Sequence, residues 1–391
     1  MKTPTTKHTL YASYFGYITQ AIINNLAPLL FLTFQTRLHI SLELIALLIT
    51  INFGVQIITD ILAAKYADKI GYRPLVVLAH VLSSLGLLGL GVLPYLLPNA
   101  YLGIVIAVIL YAIGGGLIEV LISPIVEALP NDQKEQSMSL LHSFYCWGQV
   151  GVVLLSTLYF TSIGIEYWYY LPILFAIIPL GNAILFTQVP LYVLHEDIEP
   201  IPVSKLFRMK LFYLFVLIMI CAGASEQAMS QWASYFAESG LQVSKTMGDL
   251  LGPCSFAIMM GLSRLFYGKF GEGIPLKKFM YLSGFLCIIS YLLAVSPVNP
   301  ILSLLGCSLC GLSVGIMWPG TFSLASKTCP GGGTAMFALF ALAGDIGCAV
   351  GPTMVGQISS IRGNFKTGLL IACLFPILLV IGLSFLREKA T

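Results

Sequence analysis

Charge is what this sequence has least of. Only 9% of its 391 residues are Asp, Glu, Lys or Arg, against about 25% in soluble globular chains. With 58% hydrophobic residues beside it, that scarcity excludes a water-soluble fold. Long polar stretches are equally rare. Apolar runs longer than the roughly 18 residues needed to cross a bilayer recur along the chain, and almost nothing remains for a soluble domain. Two-residue alternation is missing as well: Ile104–Ala112 and Ile371–Leu383 are apolar on every face, which excludes a β-barrel and predicts helices. The expected fold class is an all-α membrane protein.

Other absences narrow the function. Lys and Arg sit in short loops rather than on a continuous basic face, so nucleic acid is not an expected partner despite the net charge of +3. Of the nine cysteines, Cys146, Cys221, Cys254, Cys287, Cys307, Cys310, Cys348 and Cys373 fall in apolar spans, where Cys behaves as a small hydrophobe. The Cys307–Cys310 pair has no second pair or nearby His, so it is read as packing, with no disulfide framework and no metal. Gly331-Gly332-Gly333 lacks the Lys-Ser/Thr of a phosphate-binding loop. No cofactor is expected, and a proton gradient is the expected energy source. His80, His142 and His195 are scattered over different segments, so no catalytic set assembles and the chain is not expected to be an enzyme. Lys2, Lys7 and His8 lead into a full-length span without an A-x-A-like cleavage site, unlike a signal peptide.

What is present is a series of about twelve spans, near 10–34, 41–63, 74–97, 101–128, 136–160 and 166–189, then 210–237, 247–268, 277–296, 300–328, 334–360 and 366–386. With the N-terminus inside, the inner segments carry most of the basic residues, from Lys2 and Lys7 to Arg387 and Lys389. The outer ones carry only Arg37, Lys245, Arg362 and Lys366. This positive-inside pattern predicts a multi-pass protein of the cytoplasmic (inner) membrane with both termini cytoplasmic. Trp168 with Tyr167, Tyr169 and Tyr170 makes an aromatic anchor at an outer interface. The lipid bilayer and a small-molecule solute are the expected partners, and the chain is expected to be a monomer.

The longest polar break, Pro190–Lys210, separates two sets of six spans. The expected domains are 1–189, a cytoplasmic linker over 190–209, and 210–391. Trp147-Gly148-Gln149-Val150-Gly151 in the fifth span is matched by Ala343-Gly344-Asp345-Ile346-Gly347 in the eleventh, a displacement of 345 − 149 = 196 residues. Parallel six-helix halves are what an alternating-access transporter needs.

The loop Ala64-Lys65-Tyr66-Ala67-Asp68-Lys69-Ile70-Gly71-Tyr72-Arg73 resembles the Gly-x-x-x-Asp-Arg/Lys-x-Gly-Arg/Lys-Arg/Lys loop of the major facilitator superfamily, with Ala64 in place of the first Gly and Tyr72 in place of one basic residue. Arg264-x-x-x-Gly268-Lys269 is a degenerate second copy. Gly114-Gly115-Gly116-Leu117-Ile118-Glu119, followed by Ser123-Pro124, resembles the fourth span of the fucose-permease-like sugar:proton symporters. His142-Ser143-Phe144 and Trp318-Pro319-Gly320-Thr321 resemble that branch's fifth and tenth spans. Where those permeases have an Asp in the first span shortly before Pro, this sequence has Asn24, in Asn24-Asn25-Leu26-Ala27-Pro28. The resemblance implies the major facilitator fold, two pseudo-symmetric six-helix bundles, and symport of a sugar or related metabolite. It also implies a gating loop of Asp68, Lys69, Gly71 and Arg73.

An ionisable residue at bilayer depth costs several kcal/mol unless it faces a cavity or a partner, so each is a functional candidate. Glu119 comes first, with Ser123 and Glu127 one and two turns on along the same face; a carboxyl in a partly dry cavity can take up and release a proton. Glu226, Gln227 and Gln231, with Trp232 beside them, suit a hydroxylated solute, since amides both donate and accept and an aromatic face stacks on a sugar ring. Gln20 and Asn24 repeat the i, i+4 pattern on the first span. Asp345, its repeat partner Gln149, His142 and Trp318 complete the substrate and proton candidates. Asn52, Gln56 and Asp60 form a stripe on the second span, and Asp60 and Arg264, each four residues before a loop motif, read as gate charges. Interhelical hydrogen bonding is the competing role for every amide here.

The reading is therefore a secondary transporter of a small hydrophilic solute, proton-coupled through Glu119. The alternative is a drug or metabolite efflux antiporter of the same fold; it is disfavoured because the fifth span lacks that group's Gly-Pro pattern and the fourth lacks its Arg. A membrane sensor or membrane-embedded enzyme is a minor alternative.

Overall fold

The computed structural model describes residues 5–130, 134–192, 206–271, 274–296, 299–328 and 333–386. Among them, twelve helices are long and apolar enough to cross a membrane. In chain order they are α1 Thr6–Arg37, α2 Leu42–Ala63, α3 Tyr72–Leu96, α4 Ala100–Glu127, α5 Leu140–Ser162, α6 Tyr170–Gln188, α7 Lys210–Ser230, α8 Lys245–Tyr267, α9 Leu276–Ala294, α10 Pro300–Ala325, α11 Leu339–Arg362 and α12 Phe365–Phe385. The described residues contain no strand. Large apolar side chains such as Leu158 and Leu282 stand 62% and 68% exposed on these helices. Water does not tolerate such surfaces, whereas acyl chains do. The chain is a multi-pass helical membrane protein.

It divides into two compact units, Met1–Glu196 with α1–α6 and Asp197–Thr391 with α7–α12. Most of the expected linker, residues 193–205, lies outside the described residues.

Helix starts follow from caps. The side chains of Ser41, Asn99, Ser244, Asn299 and Asn364 each accept a backbone N–H in the first turn of the helix that follows. Gly71, with φ of 95°, reverses the chain between α2 and α3 in a conformation that costs a side-chain-bearing residue dearly.

Several helices are interrupted, among them α1, α7 and α10, which hydropathy does not report. In α1, Pro28 has no N–H for the Asn24 carbonyl, and the chain tightens into a 3₁₀ turn over Ala27–Leu30 before resuming at Phe31. The chain of α7 breaks at Gln231 and Trp232, resumes over Ala233–Tyr235 and ends in a π turn, Phe236–Gly240. Helix α10 breaks between Val314 and Met317.

In the first unit the most extensive pairing is α3 with α4, and α4 also packs on α2. Gly114-Gly115-Gly116 makes both possible. A Cβ on Gly114 would collide with Ser83 Oγ and the Ala79 carbonyl of α3, and one on Gly116 would lie 2.7 Å from Asp60 Oδ1 and 2.9 Å from the Gln56 carbonyl of α2. In the second unit α7 pairs most extensively with α11, where Gly223, Gly347 and Gly351 leave room for backbone contact with the facing helix.

Candidate functional site

The first unit gathers its polar side chains where α1, α2 and α4 meet. Gln20 and Asn24 share one face of α1, and Asn52, Gln56 and Asp60 share one face of α2, each four residues from the next. The triple glycine of α4 lets these long side chains lie flat against its backbone: a Cβ on Gly115 would sit 3.0 Å from Gln20 Oε1 and 3.2 Å from Gln56 Oε1. Gln20 Nε2 donates to Gln56 Oε1 at 2.9 Å and to Glu119 Oε2 at 3.2 Å. Gln56 Nε2 donates to Asn24 Oδ1 at 3.0 Å, and Asn52 Nδ2 donates to the same oxygen at 3.1 Å. Gln20, Asn24, Asn52 and Gln56 are all buried.

The ladder is not closed on itself. Gln20 Oε1 and Asn52 Oδ1 are buried acceptors with no hydrogen-bond donor among the described residues. A buried acceptor left without a donor costs about 1–3 kcal/mol, so both point to a hydroxyl or water arriving from outside the fold.

Glu119 is half-buried and ends this ladder. Among the described residues no cationic side chain pairs with it. A carboxylate oxygen of Asp60 lies within 4.8 Å of one of its own. Ser123, one turn further along α4, shares a 3.0 Å hydrogen bond with the Tyr17 hydroxyl, and the Tyr17 ring meets that of His142 edge-on with centroids 5.2 Å apart. His142 is exposed, while Gln149, two turns along α5, is buried.

The second unit builds a different polar cluster. Arg264 of α8 faces Glu226 of α7 at 3.7 Å and donates from Nε to the Gly315 carbonyl at the break in α10. Gln227 Nε2 donates to Glu226 Oε1 at 3.2 Å and Gln231 Nε2 to Gln227 Oε1 at 3.0 Å, so the amides of α7 form a ladder that ends on a charge pair. Trp232 is fully buried and donates from its indole to the Pro352 carbonyl at 2.8 Å. The Trp318 ring lies against Gly344, and Asp345 is buried on α11 beside it in sequence.

The start of α3 is tied to the end of α6. Arg73 donates from one nitrogen to the carbonyls of Phe186 and Thr187 and from another to that of Val189, at 2.7, 3.0 and 2.8 Å. Lys69 is exposed, and the side chain of Asp68 lies outside the described residues.

The structure thus joins Gln20, Asn24 and Glu119 in one cluster and Glu226, Gln227, Gln231 and Arg264 in another. Arg264 was expected as a gate charge; it lies against Glu226, a substrate candidate. The sequence reading left Asn52 and Gln56 out of the binding candidates; their i, i+4 spacing with Asp60 was the available signal.

A sequence model of the Major Facilitator Superfamily matches residues 12–352. No curated protein matches the sequence significantly. Among solved structures, the nucleoside transporter NupG aligns with a TM-score of 0.78 at 13% identity, covering 96% of this chain and 99% of its own. The E. coli fucose:proton symporter FucP aligns at 0.68 and 18% identity over 97% and 98%, and a D-xylose-proton symporter at 0.72 and 16% over 94% and 95%. Identities this low establish the shared fold alone.

Proposed function

The chain belongs to the Major Facilitator Superfamily, and on that premise we propose that it is a secondary active transporter carrying a small hydroxylated solute by alternating access, driven by protons through Glu119. The observation that carries this reading is the amide ladder of Gln20, Asn24, Asn52 and Gln56, with its two donorless acceptors. Neutral amides bind alcohols without charge, donating to one lone pair and accepting from the hydroxyl proton. The similar structures named for a nucleoside, fucose and D-xylose concern hydroxylated solutes, and two of those three names specify a proton.

Glu119 is favoured over Glu226 as the proton carrier on electrostatic grounds. Glu226 has the Arg264 guanidinium beside it, whereas Glu119 faces amides and a second carboxylate. An intramembrane carboxyl with no cation to offset its charge is the one that gains from a proton. Basic residues concentrated in alternate loops support an inner-membrane protein with both termini cytoplasmic.

The test is uptake of labelled D-xylose, L-fucose and uridine into proteoliposomes, with and without an inward proton gradient, for wild type and Glu119→Gln. Saturable, gradient-stimulated uptake of any of them, with the stimulation lost in the variant, supports the reading. Uptake indifferent to the gradient in both proteins removes the proton role, and no uptake of any probe removes the substrate class.

A further inference from the structure

The first unit's ladder runs outward from the amide nitrogen of Gln20. Gln20 donates to Gln56, Gln56 donates to Asn24, and Gln20 spends its second N–H on the Glu119 carboxylate. Both amide protons of Gln20 therefore serve acceptors, while its own oxygen, in a side chain only 4% exposed, has no donor among the described residues. That is the arrangement a charged Glu119 requires, because a carboxylate accepts and cannot donate.

A protonated Glu119 asks for the opposite. Its O–H needs an acceptor, and the nearest group able to supply one is the Gln20 amide, once rotated half a turn to present Oε1 in place of Nε2. The rotated oxygen would then stand against Gln56 Oε1, now 2.9 Å from the Gln20 nitrogen. Two carbonyl oxygens do not share that distance, so Gln56 turns as well and donates to Gln20. By the same rule the turned Gln56 oxygen would stand against Asn24 Oδ1, now 3.0 Å from the Gln56 nitrogen, so Asn24 turns and donates to Gln56, Asn52 turns and accepts from Asn24, and Asn24 Oδ1 leaves both of its amide donors.

We propose that Gln20 is a positioning residue that couples protonation of Glu119 to solute binding, by reversing the direction of the hydrogen-bond chain through Gln56 to Asn24. A proton taken from solution forms the Glu119 O–H, and the reversal opens acceptor capacity on Asn24 for a solute hydroxyl. Proton and solute then bind together, which is what symport needs. Gly115 allows the motion: a Cβ there would meet the Gln20 and Gln56 amides, the first two to turn, at 3.0–3.2 Å. Within the first unit, the titratable groups on the elements packed around Glu119 include Asp60 on α2, Tyr17 on α1, His80 on α3, His142 and Tyr145 on α5, and Tyr111 and Glu127 on α4 itself. Of these Asp60 is within 4.8 Å. The inference rests on Glu119 being the proton carrier.

The experiment is pH-difference infrared spectroscopy of the full chain in liposomes, without solute. A protonated-carboxyl C=O band at low pH, absent in Glu119→Gln, identifies the group. In Gln20→Leu and in the near-isosteric Gln20→Met that band should move to higher wavenumber, because the O–H has lost its acceptor. Wild-type side-chain amide bands should change with the same pH midpoint as the carboxyl, and stay still in Glu119→Gln. Two Gln20 variants guard against one failing to fold. A carboxyl band unmoved in either folded Gln20 variant, or amide bands indifferent to Glu119, overturns the coupling while leaving Glu119 as carrier. A difference spectrum unchanged by Glu119→Gln overturns the carrier assignment itself, and the coupling with it.

Discussion

Arg73, at the start of α3, donates to the last carbonyls of α6, and Lys277, at the start of α9, donates to the Leu386 carbonyl at the end of α12. Each is a basic residue opening the third helix of its unit and closing the sixth, placed at the negative end of a helix dipole. Their separation, 277 − 73 = 204 residues, is close to the 196 of the Gln149 and Asp345 match. The internal repeat therefore extends to the way each unit fastens its last helix.

Arg73→Ala should lower the thermal midpoint in detergent, by the equivalent of about 1–2 kcal/mol, since three charge-assisted bonds are lost from a partly solvated guanidinium. Arg73→Lys should recover part of this, because one ammonium cannot span the three carbonyls. Equal midpoints for wild type and Arg73→Ala would remove the fastening role.

Neighbouring glycines of α4 should fail differently. Gly114→Ala drives a methyl into the α3 backbone and should cost about 1–3 kcal/mol of stability. Gly115→Ala meets flexible carboxamides instead, so the fold should survive while uptake falls. Thermal melts and proteoliposome uptake, measured on the same preparations, separate the two.

In the second unit, Arg264→Met leaves Glu226 buried without its cation and should destabilise by about 3–5 kcal/mol. Adding Glu226→Gln should restore much of that loss. A double variant no more stable than Arg264→Met would mean that the bond to the Gly315 carbonyl, rather than the charge pair, is what Arg264 supplies.

Beyond the end of α7, Glu238 and Lys245 pair at 3.0 Å. Burial pushes the Glu238 carboxyl above the usual range, outweighing the downward pull of the Lys245 ammonium. A carboxyl raised on folding contributes stability that is fully present below its unfolded pKa and lost as pH rises through its folded one. The unfolding midpoint should therefore climb on acidification through that window, and Glu238→Gln should flatten the trend. A midpoint falling with acid by the same amount in both proteins would contradict it.

Much of the fold was legible because a bilayer imposes one length on every span. The second span was expected near 41–63 and is Leu42–Ala63; the twelfth was expected near 366–386 and is Phe365–Phe385. The breaks in α1, α7 and α10 were not, since hydropathy sums side chains and is blind to the backbone ladder; Pro28 and Pro319, each four residues after a carbonyl it cannot donate to, signalled the first and the last of these. At the site, periodicity put Gln20 with Asn24 and Gln56 with Asp60. It could not put α1 beside α2 across the glycines of α4, because that adjacency is a tertiary fact. Glu226 and Arg264 were read apart for the same reason: 38 residues separate them along the chain, 264 − 226 = 38, and one helix crossing joins them.

The indole seated on Gly344 makes the protein its own optical instrument. Trp318 follows directly on the break in α10 and lies half-buried, whereas Trp168 and Trp232 are fully buried. Any swing of the segment after the break lifts the ring from the α11 backbone and alters the polarity around it. The colour of native fluorescence, read against a Trp318→Phe blank, then follows the second unit in real time without an attached dye.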